Sequence, residues 1–327
     1  MIQKLAIAFF LIFFLSLIWL ANSFFTVQAA PGNVIKDDYA VVLSSGAETL
    51  KNYDVQFDQP LIPRSSVTQT NAYSIFVPII MNTFCTDAFS YNETIRYNLE
   101  KVEAEQAWAS CSQGQGITVA VVDTGIDLDH PDLQANLVSG KSFVSGTSSP
   151  DDDAGHGTHV AGVVAGIANN SGIIGVAPKA SLMPVKVLDS NGSGSIYDVV
   201  DGIEWATDNG ANVINMSLGS VSYSSILEDA VDYAHDRGVL IVAAGGNCGD
   251  TFYFLNGCSY QDQPVYPGAD GDVMAVASTD SNDNQSSFSN EGSYIEIAAP
   301  GSSIYSTYPS GTYATLSGTS MATPHVA

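Results

Sequence analysis

Three side chains in this sequence could together turn an alcohol into a nucleophile. Ser320, in Leu316-Ser317-Gly318-Thr319-Ser320-Met321-Ala322-Thr323-Pro324-His325, is flanked by small residues that leave its hydroxyl open to close approach. A serine hydroxyl attacks poorly until a base takes its proton, and histidine is the usual base near neutral pH. His156, in Gly155-His156-Gly157-Thr158-His159, can supply the base. Asp123, in Asp123-Thr124-Gly125, can fix the imidazole tautomer and stabilise the imidazolium. Each residue also has an ordinary reading. Thr319 or Ser320 can cap a helix opening at Met321 and running to Val326, Asp123 can cap a turn, and His156 can simply start a helix. A serine at a helix start lies where unpaired N–H groups and the helix dipole favour a developing oxyanion. His156 and His159, three residues apart, could form half a metal site, but no His-Glu-x-x-His or Cys-x-x-Cys spacing supports zinc.

The surrounding pattern tells what must position these groups. Ile117 to Val122 is a continuous apolar, β-rich run of the kind buried in parallel sheets, and it ends at Asp123. Similar runs recur at Leu182 to Leu188, Val213 to Met216, Val239 to Ala244, Val273 to Ala277 and Tyr294 to Ala298. Helical patterns lie between several of them. Gly157 to Ala168 is small and apolar, Ile196 to Asn209 is amphipathic, and Ser224 to Arg237 has a serine cap and stops at Gly238. Strands alternating with helices predict a mostly parallel sheet covered on both faces, with ligands beyond the carboxyl ends of the strands. Asp123 and Asn247 both fall at or just past such ends.

The chain has 327 residues and carries 34 Asp+Glu against 10 Lys+Arg, a net charge of −24. Such a surface repels nucleic acid and anionic membranes and suits a soluble exported protein. Residues 1–30 read as a signal peptide: Lys4, an apolar run from Leu5 to Ala21, then small residues at Ala29-Ala30 for cleavage. An uncleaved membrane anchor is the alternative. Residues 31–92 are polar and form an N-terminal extension or propeptide, with a strand expected within Tyr73–Met81. Residues 93–327 form the main domain. Four cysteines in an exported chain suggest disulfides. Cys248 and Cys258 flank a short loop and are paired on that ground; Cys85 and Cys111 remain as the second pair, or as free thiols.

Three blocks carry a resemblance. Val121-Val122-Asp123-Thr124-Gly125-Ile126, His156-Gly157-Thr158-His159-Val160-Ala161-Gly162 and Gly318-Thr319-Ser320-Met321-Ala322-Thr323-Pro324-His325 resemble, in order, the three signature blocks of the subtilisin-like serine peptidases. The resemblance covers residues 97–327. It implies a three-layer α/β fold and an endopeptidase in which Asp123, His156 and Ser320 are catalytic and Asn247 is the oxyanion donor. It implies that Ser217-Leu218-Gly219 and Gly192-Ser193-Gly194 pair with the substrate backbone on opposite sides. Ala244, Gly245 and Gly246 would wall a roomy pocket, giving broad specificity with a leaning toward large apolar residues. The Cys248–Cys258 loop departs from the plainest family pattern beside this pocket. A structural Ca²⁺ is implied at Asp132 and Asn170, because carboxylate, amide and carbonyl oxygens suit that ion. Asp151-Asp152-Asp153 reads as a solvated loop, with a second ion as the alternative. Expected partners are protein or peptide substrates, with no nucleic acid, no membrane unless the N-terminal segment stays uncleaved, and a monomeric, secreted state. Family members continue after the serine with a long buried helix, so the resemblance implies a C-terminally truncated chain; as it stands, poor folding and little activity are expected.

Two rivals remain. An α/β-hydrolase esterase needs Asp and then His after its serine, and here only His325 follows, with no Asp. A non-catalytic, peptidase-derived binding module would be expected to lack one triad residue or the oxyanion donor, and all four are present.

Overall fold

The computed structural model describes residues 91–249 and 257–327, together with two short strands, Thr26–Gln28 (β1) and Ser74–Phe76 (β2). The chain divides into two compact units, Met1–Asn82 and Thr83–Ala327, each taken by itself. In the first, β1 and β2 pair antiparallel, with Val27 opposite Ile75. β2 falls within the expected strand Tyr73–Met81. The rest of that stretch, Cys85 and the apolar run of the signal segment lie outside the described residues.

The second unit is built on a parallel sheet. Its strands are Thr118–Asp123 (β3), Lys141–Ser142 (β4), Ser181–Lys186 (β5), Val213–Met216 (β6), Leu240–Ala244 (β7), Met274–Thr279 (β8) and Ile295–Pro300 (β9). They lie in the order β4-β5-β3-β6-β7-β8-β9. The helices are Tyr97–Lys101 (α1), Ala104–Ala109 (α2), His156–Ala165 (α3), Ile196–Asp208 (α4), Ser225–His235 (α5) and Thr319–Ala322 (α6). β3 shows why its sequence is apolar throughout. Successive side chains of a strand face opposite ways. Ala120 and Val122 enter a core with Val199 and Ile203 of α4 and Leu227 and Val231 of α5. Val119 and Val121 enter another with Val160 and Val164 of α3, Ile304 and Met321. Burying one valine is worth about 1.5–3 kcal/mol, so a strand apolar on both faces demands cover on both.

The topology places the site. Chain order runs from β3 to β5 by way of α3, then from β5 to β6 by way of α4, on the opposite face. β3 therefore has β5 on one side and β6 on the other, and Asp123 ends β3 where the strand order reverses. That is where open α/β sheets bind ligands.

Several elements were not expected from the sequence. Ile304–Tyr308 (β10) and Thr312–Leu316 (β11) form an antiparallel hairpin, with Ser306 opposite Ala314. It lies on α3: Ser306 Oγ and Thr307 Oγ1 donate to the carbonyls of His159 and Thr158. The helix expected from Met321 to Val326 instead starts earlier, at Thr319, and tightens into a 3-10 turn over Thr323–His325. Gly157–Ala168 likewise ends sooner, at Ala165. Among the described residues no helix is long and apolar enough to cross a membrane.

Candidate active site

Asp123 is fully buried at the last position of β3. A buried carboxylate must be paired and hydrogen-bonded. Its Oδ1 accepts from Thr124 N at 2.7 Å and from His156 Nδ1 at 2.8 Å; its Oδ2 lies 3.0 Å from the same ring nitrogen. His156 is the first residue of α3 and follows Gly155, whose φ of 104° lies in the left-handed region that favours glycine. A Cβ there would also strike the ring of Tyr308. Because Nδ1 faces a carboxylate, the neutral ring carries its proton there and leaves the lone pair on Nε2. Burial pushes the imidazole pKa down, but the charge of Asp123 and its hydrogen bond, with Asp152 adding, raise it above the ordinary histidine value.

The run Asp151-Asp152-Asp153 is the solvated loop expected only at its outer two residues, which are exposed. Asp152 is buried, and five donors meet it. Oδ1 accepts from Thr124 Oγ1, Ala154 N and Gly155 N; Oδ2 accepts from Thr158 N and Oγ1. Thr124 Oγ1 accepts in turn from Gly157 N. Asp152 thus ties the end of β3 to the first turn of α3, the two places that carry Asp123 and His156. Asp153 pairs with Lys186 Nζ at 2.6 Å, and that fully buried ammonium also donates to the Thr124 carbonyl. Asp151 accepts from Leu128 N. A triplet of acids gives no sign along the chain of which member turns inward.

His159, the second histidine of the block, belongs to the core. Its Nε2 is within hydrogen-bond reach of the Ile304 and Ala314 carbonyls of the hairpin.

Ser320 lies in the first turn of α6. Gly318, not Thr319 or Ser320, takes the N-cap position, so the cap residue offers no side chain to the helix start. Ser320 Oγ donates to the Ser217 carbonyl at 2.9 Å, and Ser217 Oγ donates to the Ser320 carbonyl at 2.8 Å. Asn215 Nδ2 donates to Ser217 Oγ. The strand end of β6 therefore holds the serine on two sides. Helix α3, which begins with His156, packs against α6. Asn247 follows β7. Its Oδ1 accepts from Thr319 N at 2.9 Å and from Thr319 Oγ1 at 3.1 Å, which makes its amide NH₂ the end that can donate elsewhere. The contacts of Thr319 with Asn247 and of the Ser217 carbonyl with Ser320 left no mark along the chain; between Gly318 and Ser320, Thr319 carried no signal beyond a cap.

A cavity of about 320 Å³ opens beside Ser320 and Asn247. Ala244 and Gly246, two of the three residues expected to wall a pocket, line it, together with Leu218, Gly219, Val221, Val265 and both cysteines of the Cys248–Cys258 disulfide. Gly245 does not line it; its N–H donates to the Val276 carbonyl, and its own carbonyl accepts from Tyr294. Gly192, Ser193 and Gly194 are not part of it either. They sit in an exposed turn closed by Asp189, which accepts from Asn191 N and Ser193 N.

Asp132 is fully buried. It accepts from Asn169 Nδ2, Ile173 N and the Tyr313 hydroxyl. Asn170 Oδ1 accepts from Asn92 Nδ2, and Glu93 Oε1 accepts from the N–H groups of Asn169, Asn170 and Ser171. Two buried carboxylates, Glu93 and Asp132, thus flank one loop. Among the described residues neither is ion-paired. Carboxylate and amide oxygens are the ligands a hard cation takes, but here they are met by N–H and O–H donors, and among the described residues no three acidic, histidine or cysteine side chains come together as a metal-binding group. The second expected disulfide rests on Cys85, outside the described residues.

Comparison with known proteins points one way. The model of the subtilase family matches residues 114–327. The chain is 50% identical over 238 residues to thermitase of Thermoactinomyces vulgaris, covering 72% of this chain and 81% of that protein. It is 48% identical over 235 residues to subtilisin DY of Bacillus licheniformis, covering 72% and 82%. Among solved structures, that of a cold adapted subtilisin-like serine proteinase aligns with a TM-score of 0.58 and 39% identity, covering 65% of this chain and 73% of that one.

Proposed function

The chain belongs to the subtilase family of serine endopeptidases, and on that premise we propose that Asp123, His156 and Ser320 are its catalytic triad and Asn247 its oxyanion donor. The observation that carries this is the Asp123–His156 contact at the switch point of the sheet, with Ser320 on the neighbouring helix start. For attack, Ser320 Oγ turns from the Ser217 carbonyl to His156 Nε2, which takes its proton as the oxygen bonds to the scissile carbonyl carbon. The carbonyl oxygen becomes an oxyanion, received by Asn247 Nδ2 and the Ser320 N–H. The imidazolium is stabilised by Asp123 and passes its proton to the leaving amine. Water then repeats the sequence on the acyl-enzyme and frees Ser320.

The cavity beside Ser320 receives the substrate side chain before the cleaved bond, and the small, uncharged residues that line it support broad specificity leaning toward large apolar residues. Ser217-Leu218-Gly219 and, across the cleft, Gly192-Ser193-Gly194 pair with the substrate backbone. Residues 1–30 direct export and are removed, residues 31–92 are an N-terminal extension or propeptide, and residues 93–327 are the catalytic domain. N-terminal sequencing of the secreted protein tests this division; a mature chain that keeps residues 31–92 would rule out the propeptide. Ca²⁺ is held at the loop bearing Asn170 by Asp132, with Glu93 adding charge; it braces the loop and takes no part in the chemistry.

Ser320→Ala removes the nucleophile and leaves its fold contacts almost whole. Hydrolysis of casein should fall by at least about 10³-fold. Hydrolysis at the wild-type rate would refute the assignment.

A further inference from the structure

The cavity beside Ser320 has a covalent wall whose role the catalytic reading leaves open. Cys248 follows Asn247 directly, and Cys258 follows Gly257; their sulfurs are bonded, and both residues are buried. With Val265 they form an apolar cluster on which Val221 packs, and all four residues line the cavity. Among the described residues no ionisable side chain lines it.

Both arms of this wall are tied to one frame, and the S–S bond is the tie at Cys258 itself. The Cys248 arm is fixed through its backbone: Cys248 N donates to Asn290 Oδ1, its carbonyl accepts from Asp262 N, and Gly249 N donates to the Phe288 carbonyl. Asn290 is itself braced by the Gln263 carbonyl and the Tyr294 hydroxyl. The arm bearing Gly257 and Cys258 is tied to the same frame by the S–S bond at Cys258 and, a few residues further on, by the Asp262 N–H on the Cys248 carbonyl, by Asn290 on the Gln263 carbonyl, and by Gln261 Nε2 donating to the Gly249 carbonyl.

Resting on the peptidase reading above, we propose that the Cys248–Cys258 bond is the specificity-determining element of this enzyme: it holds Gly257 and Cys258 as a fixed wall against which a large apolar side chain of the substrate packs. Dispersion contacts fade over a gap of only about 0.5–1 Å, so a wall free to swing that far forfeits much of its attraction. Disulfide sulfur is polarisable and carries no charge, which suits an aromatic or long aliphatic partner. A methyl side chain fills too little of the cavity to reach the wall and is indifferent to it. The bond therefore acts on the choice between large and small side chains.

The test compares kcat/KM on two matched peptides, with Phe or Ala before the cleaved bond, for the full chain and for Cys248→Ser/Cys258→Ser. The Phe-over-Ala ratio should fall at least about fivefold, through a raised KM on the Phe peptide. An unchanged ratio overturns the proposal. A parallel loss on both peptides also overturns it, since the bond would then brace Asn247 and not select side chains. If the double variant fails to fold, the ratio is read on the wild-type protein before and after a phosphine opens the bond, with alkylation and mass spectrometry confirming the opened pair; the same outcomes decide. Labelling of the wild-type protein at Ser320 by a fluorophosphonate is measured first. Its absence would sink the peptidase reading, whereas a labelled enzyme with an unmoved ratio sinks only the role of the disulfide.

Discussion

His156 is subject to opposed influences, and their balance sets how the proposed base works. Burial disfavours its charged form, while Asp123 and, behind it, Asp152 favour it, and the carboxylates prevail. The base acts when neutral, so a raised pKa moves the acid limb of activity to higher pH. Asp123→Asn should shift that limb of the kcat/KM profile toward lower pH and reduce the plateau by about 10⁴-fold, the loss expected when the tautomer is no longer fixed. A variant whose acid limb stays at the wild-type position would show that Asp123 does not set the histidine pKa. At the same scale, Ser320 is held by the Ser217 carbonyl in the free enzyme. Hydrogen bonds that act in catalysis often form only once substrate is bound.

At the scale of elements, α3 and the β10–β11 hairpin are joined by a histidine that is neutral in place near neutral pH. Burial is the main cause that lowers His159 to about 4, against the raising effect of the Ile304 and Ala314 carbonyls. Burial likewise lowers His325, in the 3-10 turn after α6, to about 4; its Nδ1 faces the Met321 carbonyl and its Nε2 faces Asn98 of α1. Both folded values lie below the unfolded value of about 6.5, so the unfolded chain binds more protons between about pH 6.5 and 4. Stability is therefore complete above about pH 6.5 and falls as pH drops through that window, by roughly 3 kcal/mol for each histidine. His156 has the opposite sign: its contribution is present at low pH and is lost as pH rises through its folded value, and about a third of its side chain is exposed, which weakens it. The melting temperature should fall steadily from pH 6.5 to 4. A flat profile across that range would show that neither ring is buried neutral.

For the whole molecule, the net charge of −24 is a cost in self-repulsion that a bound cation would offset. Glu93 and Asp132 place two buried carboxylates around one loop, and α1 follows Glu93 closely, so the loop links the segment before α1 to the segment after α3. An ion bound only by the folded state adds about 2.7 kcal/mol at a hundredfold excess over its Kd. The protein should melt several degrees lower in EGTA than in CaCl₂ at equal ionic strength, and superimposable melting curves would count against calcium.

The order of strands and helices was readable from the chain, because period-2 and period-3.6 burial leave their mark residue by residue. β6 has the bounds expected from its apolar run, β3 ends at Asp123, and α3 opens at His156. The places of Asp123 at a strand end and of His156 and Ser320 in first helical turns were likewise legible, which is what puts them and Asn247 forward as the proposed site. What the chain could not display was contact between distant segments. The inward turn of Asp152, the grip of Ser217 on Ser320, the hold of Thr319 on Asn247 and the hairpin that seals His159 all join groups from separate elements. Local sequence decides which backbone conformation a segment prefers. Only the packed sheet decides which donor reaches which acceptor, because a hydrogen bond forms over about 3 Å of space whatever length of chain lies between its ends.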